Sequence, residues 1–237
     1  MDRLGFIVPS ANAVFENDVR RLLPARYPSY VARVSCARDS EDELARLARN
    51  APAAARDLRD ADVAAIAFAC TSGSLLGGFD DDSAIGRAIA AAAEVPATTA
   101  ATAVREALAS LGVSDIALVT PYEDWLNERV VTFLSGHGVR TSGVFGFATP
   151  EVREHEQIPP ERIADEALSL CGPEVQAVLI SCTSFRGAEA AELVRQAQDR
   201  PVVSSNEATL WAAMRLVGAA APAFAPLQFT GDEGAAS

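Results

Sequence analysis

Two triplets in the chain combine a nucleophile with oxyanion donors: Cys70-Thr71-Ser72 and Cys182-Thr183-Ser184. Each follows an apolar, strand-like run, Val63 to Ala69 in one case and Val175 to Ser181 in the other. A thiol where a buried strand gives way to a turn or helix sits beside backbone N–H groups that have no internal partner. Those groups favour a thiolate and lower its pKa below the usual ~8.5, so a depressed thiol pKa is expected at one of the two positions. The hydroxyls that follow can grip a carboxylate without adding full positive charge. A single cysteine in this setting is commonly just a small buried hydrophobe; two in matching settings point to a shared site. Cys36 and Cys171 lack such neighbours and read as structural.

Further polar residues fall at the same kind of strand end. Asn12, just past the first strand, offers an amide donor, and Tyr122 holds the analogous turn with a hydroxyl for a carboxylate or an enolate. With Thr71, Ser72, Thr183 and Ser184 they form the expected substrate-binding set around Cys70 and Cys182. Gly73, Gly77 and Gly78 permit close backbone approach, in a spacing that matches neither a dinucleotide nor a P-loop fingerprint. Asp80, Asp81 and Asp82 read as a helix start and solvated surface. Ser204, Ser205 and Asn206 close another strand, where they steady a turn or touch substrate. The segment 147–158 reads as a variable loop and lid, with His155 a surface residue.

The elements that must position these residues occur twice. Leu4 to Val8 leads to the turn Pro9-Ser10, and Ile116 to Thr120 leads to Pro121-Tyr122. From each proline the cysteine follows 61 residues later, and the copies are offset by 112 residues. A further strand enters through proline in both, at Pro96 to Thr99 and Pro201 to Ser204. Helices are expected over Asp39–Asn50, capped by Asp39 or Ser40, and over Ser83–Ala93, Ala100–Ser110, Trp125–His137, Pro160–Ser169, Ala188–Asp199 and Glu207–Val217. Short apolar strands alternating with helices imply parallel sheets covered on both faces. The reading is an α/β chain of two pseudosymmetric lobes, 1–111 plus 206–237 and 112–205, with the active site in the cleft between them, because ligands of open α/β sheets sit at the C-terminal ends of strands.

Composition narrows the chemistry. The chain has 237 residues, 49% of them hydrophobic, enough for a large core. Its net charge of −12 disfavours a nucleic-acid or anionic-membrane surface. It contains no lysine, which removes Schiff-base chemistry and lysine-anchored pyridoxal phosphate. Its two histidines, His137 and His155, have no partner at ligand spacing, so a histidine metal centre or a His-assisted serine hydrolase is not expected. Neither a cofactor nor a metal is anticipated. The four cysteines read as free thiols, and with no leader pattern and no run of about 18 apolar residues the expected location is cytoplasmic.

The segments Val8-Pro9-Ser10-Ala11-Asn12, Ala69-Cys70-Thr71-Ser72-Gly73, Leu118-Val119-Thr120-Pro121-Tyr122, Ile180-Ser181-Cys182-Thr183 and Val203-Ser204-Ser205-Asn206 together resemble the aspartate/glutamate racemase superfamily, in the branch of maleate cis-trans isomerases, arylmalonate decarboxylases and an ectoine-utilisation relative. The resemblance spans nearly the whole chain and implies two pseudosymmetric Rossmann-like lobes. It implies that Cys70 adds to an alkene, that Cys182 transfers the proton, and that Asn12 and Tyr122 hold carboxylates. It also implies a homodimer or higher homo-oligomer. Decarboxylases of the branch carry glycine in place of the first cysteine, so Cys70 argues against that activity. Two departures stand against a maleate assignment. Ala148–Pro150 lacks the asparagine that maleate isomerases commonly carry there, and Thr71 to Ser74 is more polar than their sequence after the first cysteine.

The leading expectation is therefore cofactor-independent isomerisation of a small dicarboxylate, maleate to fumarate. A two-cysteine racemase or epimerase of an amino-acid or hydroxy-acid derivative is the alternative. A malonate-type decarboxylase and a noncatalytic carboxylate-binding protein rank below it.

Overall fold

A computed structural model describes residues 2–76, 84–219 and 224–226. Gly77, Gly78, Asp80, Asp81 and Asp82 lie outside the described residues.

The described residues form two four-stranded parallel sheets of identical order. In the first, β1 (Leu4–Pro9), β2 (Ser29–Val34), β3 (Ala65–Phe68) and β4 (Ala97–Thr99) run in the order β2-β1-β3-β4. In the second, β5 (Asp115–Thr120), β6 (Arg140–Gly146), β7 (Ala177–Ile180) and β8 (Val202–Ser204) run β6-β5-β7-β8. Every pairing within the sheets is parallel, and the central strands β1, β3, β5 and β7 are buried at every residue. That burial requires helices on both faces and explains the unbroken apolar runs of the sequence. The edge strands β2 and β6 are half exposed and polar on one side, so neither forms an apolar run in the sequence.

The helices are α1 (Phe15–Leu22), α2 (Glu41–Arg59), α3 (Thr71–Ser74), α4 (Ala84–Ala93), α5 (Ala100–Leu111), α6 (Asp124–Gly136), α7 (Pro160–Ser169), α8 (Gly187–Ala197) and α9 (Ser205–Leu216). Ser40, not Asp39, caps α2 by accepting from the Glu43 N–H. That helix runs past the expected stop at Asn50 and carries Pro52 internally, because Ala51, Ala54, Ala55 and Leu58 bury a continuous apolar stripe beyond it. Helix α1 was not anticipated. Its N-cap residue, Val14, has no side chain that can cap it, and only Phe15, Val19 and Leu22 mark its buried face, with Asp18 buried among them.

Both sheets reverse their winding direction between their two central strands. The switch points are therefore the C-terminal ends of β1 and β3 in one lobe and of β5 and β7 in the other. Asn12, Cys70, Tyr122 and Cys182 follow those four strand ends in turn. Helix α9 leaves β8 of the second sheet and packs on α5, β4, β3 and α1 of the first. No helix of the described residues is long and apolar enough to cross a membrane.

Candidate active site

Both strand-end cysteines are buried where the lobes pack together, Cys70 3% and Cys182 6% exposed, and the Asp39 carboxylate acts on both thiols. The seam is laced by hydrogen bonds, most of which cross it. Thr183 Oγ1 donates to the Ala69 carbonyl at 2.8 Å and accepts from Asn12 Nδ2 at 3.2 Å. Ser205 Oγ accepts from both the Cys182 N–H, at 3.2 Å, and Thr71 Oγ1, at 3.1 Å. Asn206 Nδ2 reaches Asp18 Oδ2 at 2.6 Å and the Thr183 carbonyl at 3.3 Å.

Cys70 caps α3, its Sγ accepting from the Gly73 N–H at 3.3 Å. Glycine at 73 lets that amide approach, since an added Cβ would stand 3.1 Å from Sγ and 3.3 Å from the Phe68 ring. Cys182 adopts φ 151°, a region L-residues rarely occupy and which costs about 1–3 kcal/mol. Its bond to Ser205 Oγ and the Ser184 N–H, which donates to Sγ at 3.3 Å, hold it there.

Both thiols lie well above their usual range, contrary to the expected depression. Burial pushes Cys70 up to about 12 and Cys182 further, and the carboxylate of Asp39 adds to it. The amide donors act in the opposite direction, but one N–H each does not offset full removal from water.

Two residues of the site were missed or misread. His155, expected at the surface, is fully buried in a 3₁₀ turn, Val152–Gln157, with Nδ1 3.6 Å from Cys182 Sγ. Its Nε2 is 2.8 Å from the Thr149 carbonyl. A carbonyl only accepts, so Nε2 carries the hydrogen and the bare Nδ1 faces the thiol. Burial lowers this imidazole to about 4, so the ring is neutral. Asp39 lies in the same seam, its Oδ1 accepting from Ser72 Oγ at 2.9 Å and its Oδ2 3.8 Å from His155 Nε2 without a hydrogen-bond partner. Burial raises its carboxyl to about 7.

The segment 147–158 straps the second lobe to the loop before α2. The Asp39 N–H donates to Pro150 and the Val152 N–H to Ala37, while Arg38 and Glu151 pair beside them. The sequence signal that could have revealed the strap is Val152 and His155, one 3₁₀ turn apart, the only two residues of that turn that are buried.

Of the other expected residues, Tyr122 is buried with its hydroxyl against the Cys182 thiol and no other partner, and its own pKa is raised by burial. The hydroxyls of Thr71, Ser72 and Thr183 are all engaged with protein groups. Asn12 Oδ1 accepts from the Val14 and Phe15 N–H groups at the start of α1. The arrangement has the parts for proton transfer at two thiols: a hydroxyl and carboxyl beside one, an imidazole and phenol beside the other.

A family model described as arylmalonate decarboxylase matches residues 4–227. Among individual proteins, the arylmalonate decarboxylase of Bordetella bronchiseptica is 28% identical over 222 residues, 93% of this chain and 92% of that one. A maleate isomerase of Nocardia farcinica is 29% identical over 189 residues, 76% of this chain and 75% of that one. Among solved structures, a glycine-to-cysteine, cysteine-to-serine double mutant of arylmalonate decarboxylase in a liganded form superposes with a TM-score of 0.87 at 28% identity, covering 93% of this chain and 94% of that one. With a match that runs through both sheets and both cysteine turns, the chain belongs to the arylmalonate decarboxylase family, in the maleate isomerase and arylmalonate decarboxylase branch of the aspartate/glutamate racemase superfamily.

Proposed function

We propose that the chain is a cofactor-independent isomerase of a small dicarboxylate, with maleate to fumarate as its reaction. The observation that supports this reading is the burial of two thiols, from equivalent strand ends of the two lobes, within the field of one carboxylate, Asp39. In the proposed sequence Cys70 Sγ, as thiolate, forms a bond to one alkene carbon while the Cys182 thiol gives its proton to the other. The double bond becomes a single bond and rotates. Cys182 then takes the proton back, the carbon–sulfur bond breaks, and the trans alkene leaves. The second thiol must stay protonated until carbanion charge develops, and its burial keeps it so. The Ser184 N–H and the Tyr122 hydroxyl are placed to hold the transient Cys182 thiolate. In this reading Asn12, Thr71, Ser72, Thr183 and Ser184 hold the substrate's carboxylates. Maleate isomerase relatives support the reading, and Cys70 stands against a decarboxylase that works with one cysteine.

Two lobes, 1–111 with 206–237 and 112–205, are part of the same proposal, supported by the packing of α9 on the first sheet's helices. A second reading, racemisation or epimerisation, is favoured by His155. Its lone pair gives the second thiol a proton acceptor of its own, which a two-thiol exchange uses and alkene addition does not require.

The test is incubation of the full chain with maleate in deuterated buffer, followed by NMR. Fumarate formation supports isomerisation. Deuterium entering a saturated 2-amino or 2-hydroxy acid without any fumarate from maleate supports the second reading and overturns the first.

A further inference from the structure

The mechanism above needs Cys70 as a thiolate in a place where burial opposes that charge. A continuous path leads away from its sulfur. Cys70 Sγ lies 3.6 Å from Ser72 Oγ, and Ser72 Oγ lies 2.9 Å from Asp39 Oδ1. Directions along the path are fixed while Asp39 is charged. A carboxylate only accepts, so the Ser72 hydroxyl hydrogen points to Asp39, and the oxygen it leaves open accepts from the Cys70 S–H. The opposite arrangement is equally complete. With Asp39 protonated, its hydroxyl donates to Ser72, and Ser72 donates to a thiolate that already accepts from the Gly73 N–H.

We propose that Asp39 is the proton acceptor that activates Cys70, acting through the hydroxyl of Ser72. Cys70 gives its proton to Ser72 Oγ as Ser72 gives its own to Asp39 Oδ1, leaving a thiolate, an intact serine and a neutral carboxylic acid. Elimination of product runs the path backward. The transfer moves one negative charge along the seam rather than creating a second, so the desolvation that opposes the thiolate is offset by relief of the same burden on Asp39. This role deepens the two-thiol reading and rests on it for its purpose, but its test needs no substrate.

Asp39 is faced by Cys36 and Cys70 from its own lobe, and by Tyr122, Glu123, His155 and Cys182 from the other. None of these is a lysine or arginine that would keep the carboxylate charged. Its titration near 7 places the acceptor form above neutral pH.

The experiment is site-resolved alkylation of the native chain with iodoacetamide from pH 5.5 to 9, read by peptide mass spectrometry, with Cys171 as the internal reference. In the unaltered chain the Cys70 rate rises through an inflection near 7. In Asp39→Asn it falls at least tenfold at pH 7.5 and loses that inflection, while Cys171 is unchanged. Ser72→Ala gives the same loss, and Ser72→Thr, which keeps a hydroxyl, restores most of the rate. A purely electrostatic neighbour predicts the opposite sign, because removing a negative charge beside a thiol lowers its pKa and speeds alkylation. Faster Cys70 alkylation in Asp39→Asn, an unchanged rate in Ser72→Ala, or no Cys70 alkylation in the unaltered chain at any pH overturns the proposal. Loss of Cys70 reactivity in the variants, in a chain that makes no fumarate from maleate, retains the role of Asp39 and rejects the isomerase reading.

Discussion

His155 Nδ1 stands 3.6 Å from Cys182 Sγ, and the Thr149 carbonyl at 2.8 Å from Nε2 fixes which nitrogen faces the thiol. The two residues are 27 positions apart, and His155 is carried by the strap 147–158, which is laced to the loop before α2. The imidazole is an acceptor for the S–H. Replacing it by a ring with no nitrogen leaves the thiol without that acceptor while filling much of the same space. In His155→Phe, iodoacetamide alkylation of Cys182 at pH 7.5 is expected to slow about tenfold, equal to ~1.4 kcal/mol of barrier, with Cys70 altered less than about twofold. Equal slowing at both cysteines would mean that the ring only holds the lobes together.

The two-thiol chemistry predicts steep and separate losses at each sulfur. Serine preserves the hydrogen bonds from Gly73 and Ser184 but is a far weaker nucleophile and acid. Cys70→Ser and Cys182→Ser are each expected to reduce fumarate formation about a thousandfold, ~4 kcal/mol of barrier, with melting temperatures within a few degrees of the parent. Near-parental turnover in either variant removes that cysteine from the mechanism.

Tyr122 is positioned by a cluster that the sequence gives no obvious reason to single out. Thr120 Oγ1 donates to Asn127 Oδ1 at 2.6 Å and accepts from the Tyr122 N–H at 3.0 Å, while Asn127 Nδ2 donates to the Tyr122 carbonyl at 3.1 Å. Gly146 closes over this cluster, and a Cβ there would fall 2.5 Å from the Tyr122 carbonyl oxygen as well as against Asn127. The backbone must shift to accept it. Gly146→Ala is expected to cost about 1–3 kcal/mol in urea unfolding and to lower turnover by displacing Tyr122 from Cys182. Unchanged stability and rate would show that the cluster yields without moving the ring.

Much of this architecture was legible because the determining signals are local and duplicated. A proline turn, an apolar strand and a Cys-Thr-Ser turn recur at one offset, and parallel strands buried on both faces announce themselves as apolar runs. Cys70, Cys182, Asn12 and Tyr122 were found at strand ends, where the switch points of both sheets lie. Asp39 and His155 are not legible in this way, since their immediate neighbours carry no sign of the site. Asp39 precedes a helix and looked like its cap, a role that Ser40 takes. His155 lies in a charged, proline-flanked segment that reads as solvent-exposed, and it is buried by a strap-to-loop pairing across the lobes, Asp39 to Pro150 and Val152 to Ala37, that leaves no periodicity in either segment. The expected thiol pKa failed for a related reason. Turn amides are visible in a sequence, whereas complete burial by the opposite lobe is not.

Burial of carboxyls also has a consequence for stability. Asp18 is buried on α1, where it accepts from Asn206 Nδ2 at 2.6 Å, and burial raises it from 3.8 to about 7. The folded chain therefore binds this proton more tightly than the unfolded chain. The associated stability is fully present below about 3.8 and is lost as pH rises to about 7. Asp39 acts in the same direction over the same window. His155 opposes both, because its lowered folded value means that stability is lost as pH falls from 6.5 to about 4. Glu43 and Glu189 are held below their usual 4.5 and complete their titration under the window. Between pH 5 and 6.5 two carboxyls outweigh one imidazole, so the urea unfolding free energy is expected to fall as pH rises. Asp18→Asn keeps an acceptor for Asn206 and removes one linked proton, so it should flatten that slope by up to ~1.4 kcal/mol per pH unit. An identical slope in parent and variant would mean that Asp18 is already ionised in the folded chain, with its charge compensated at the α1–α9 contact.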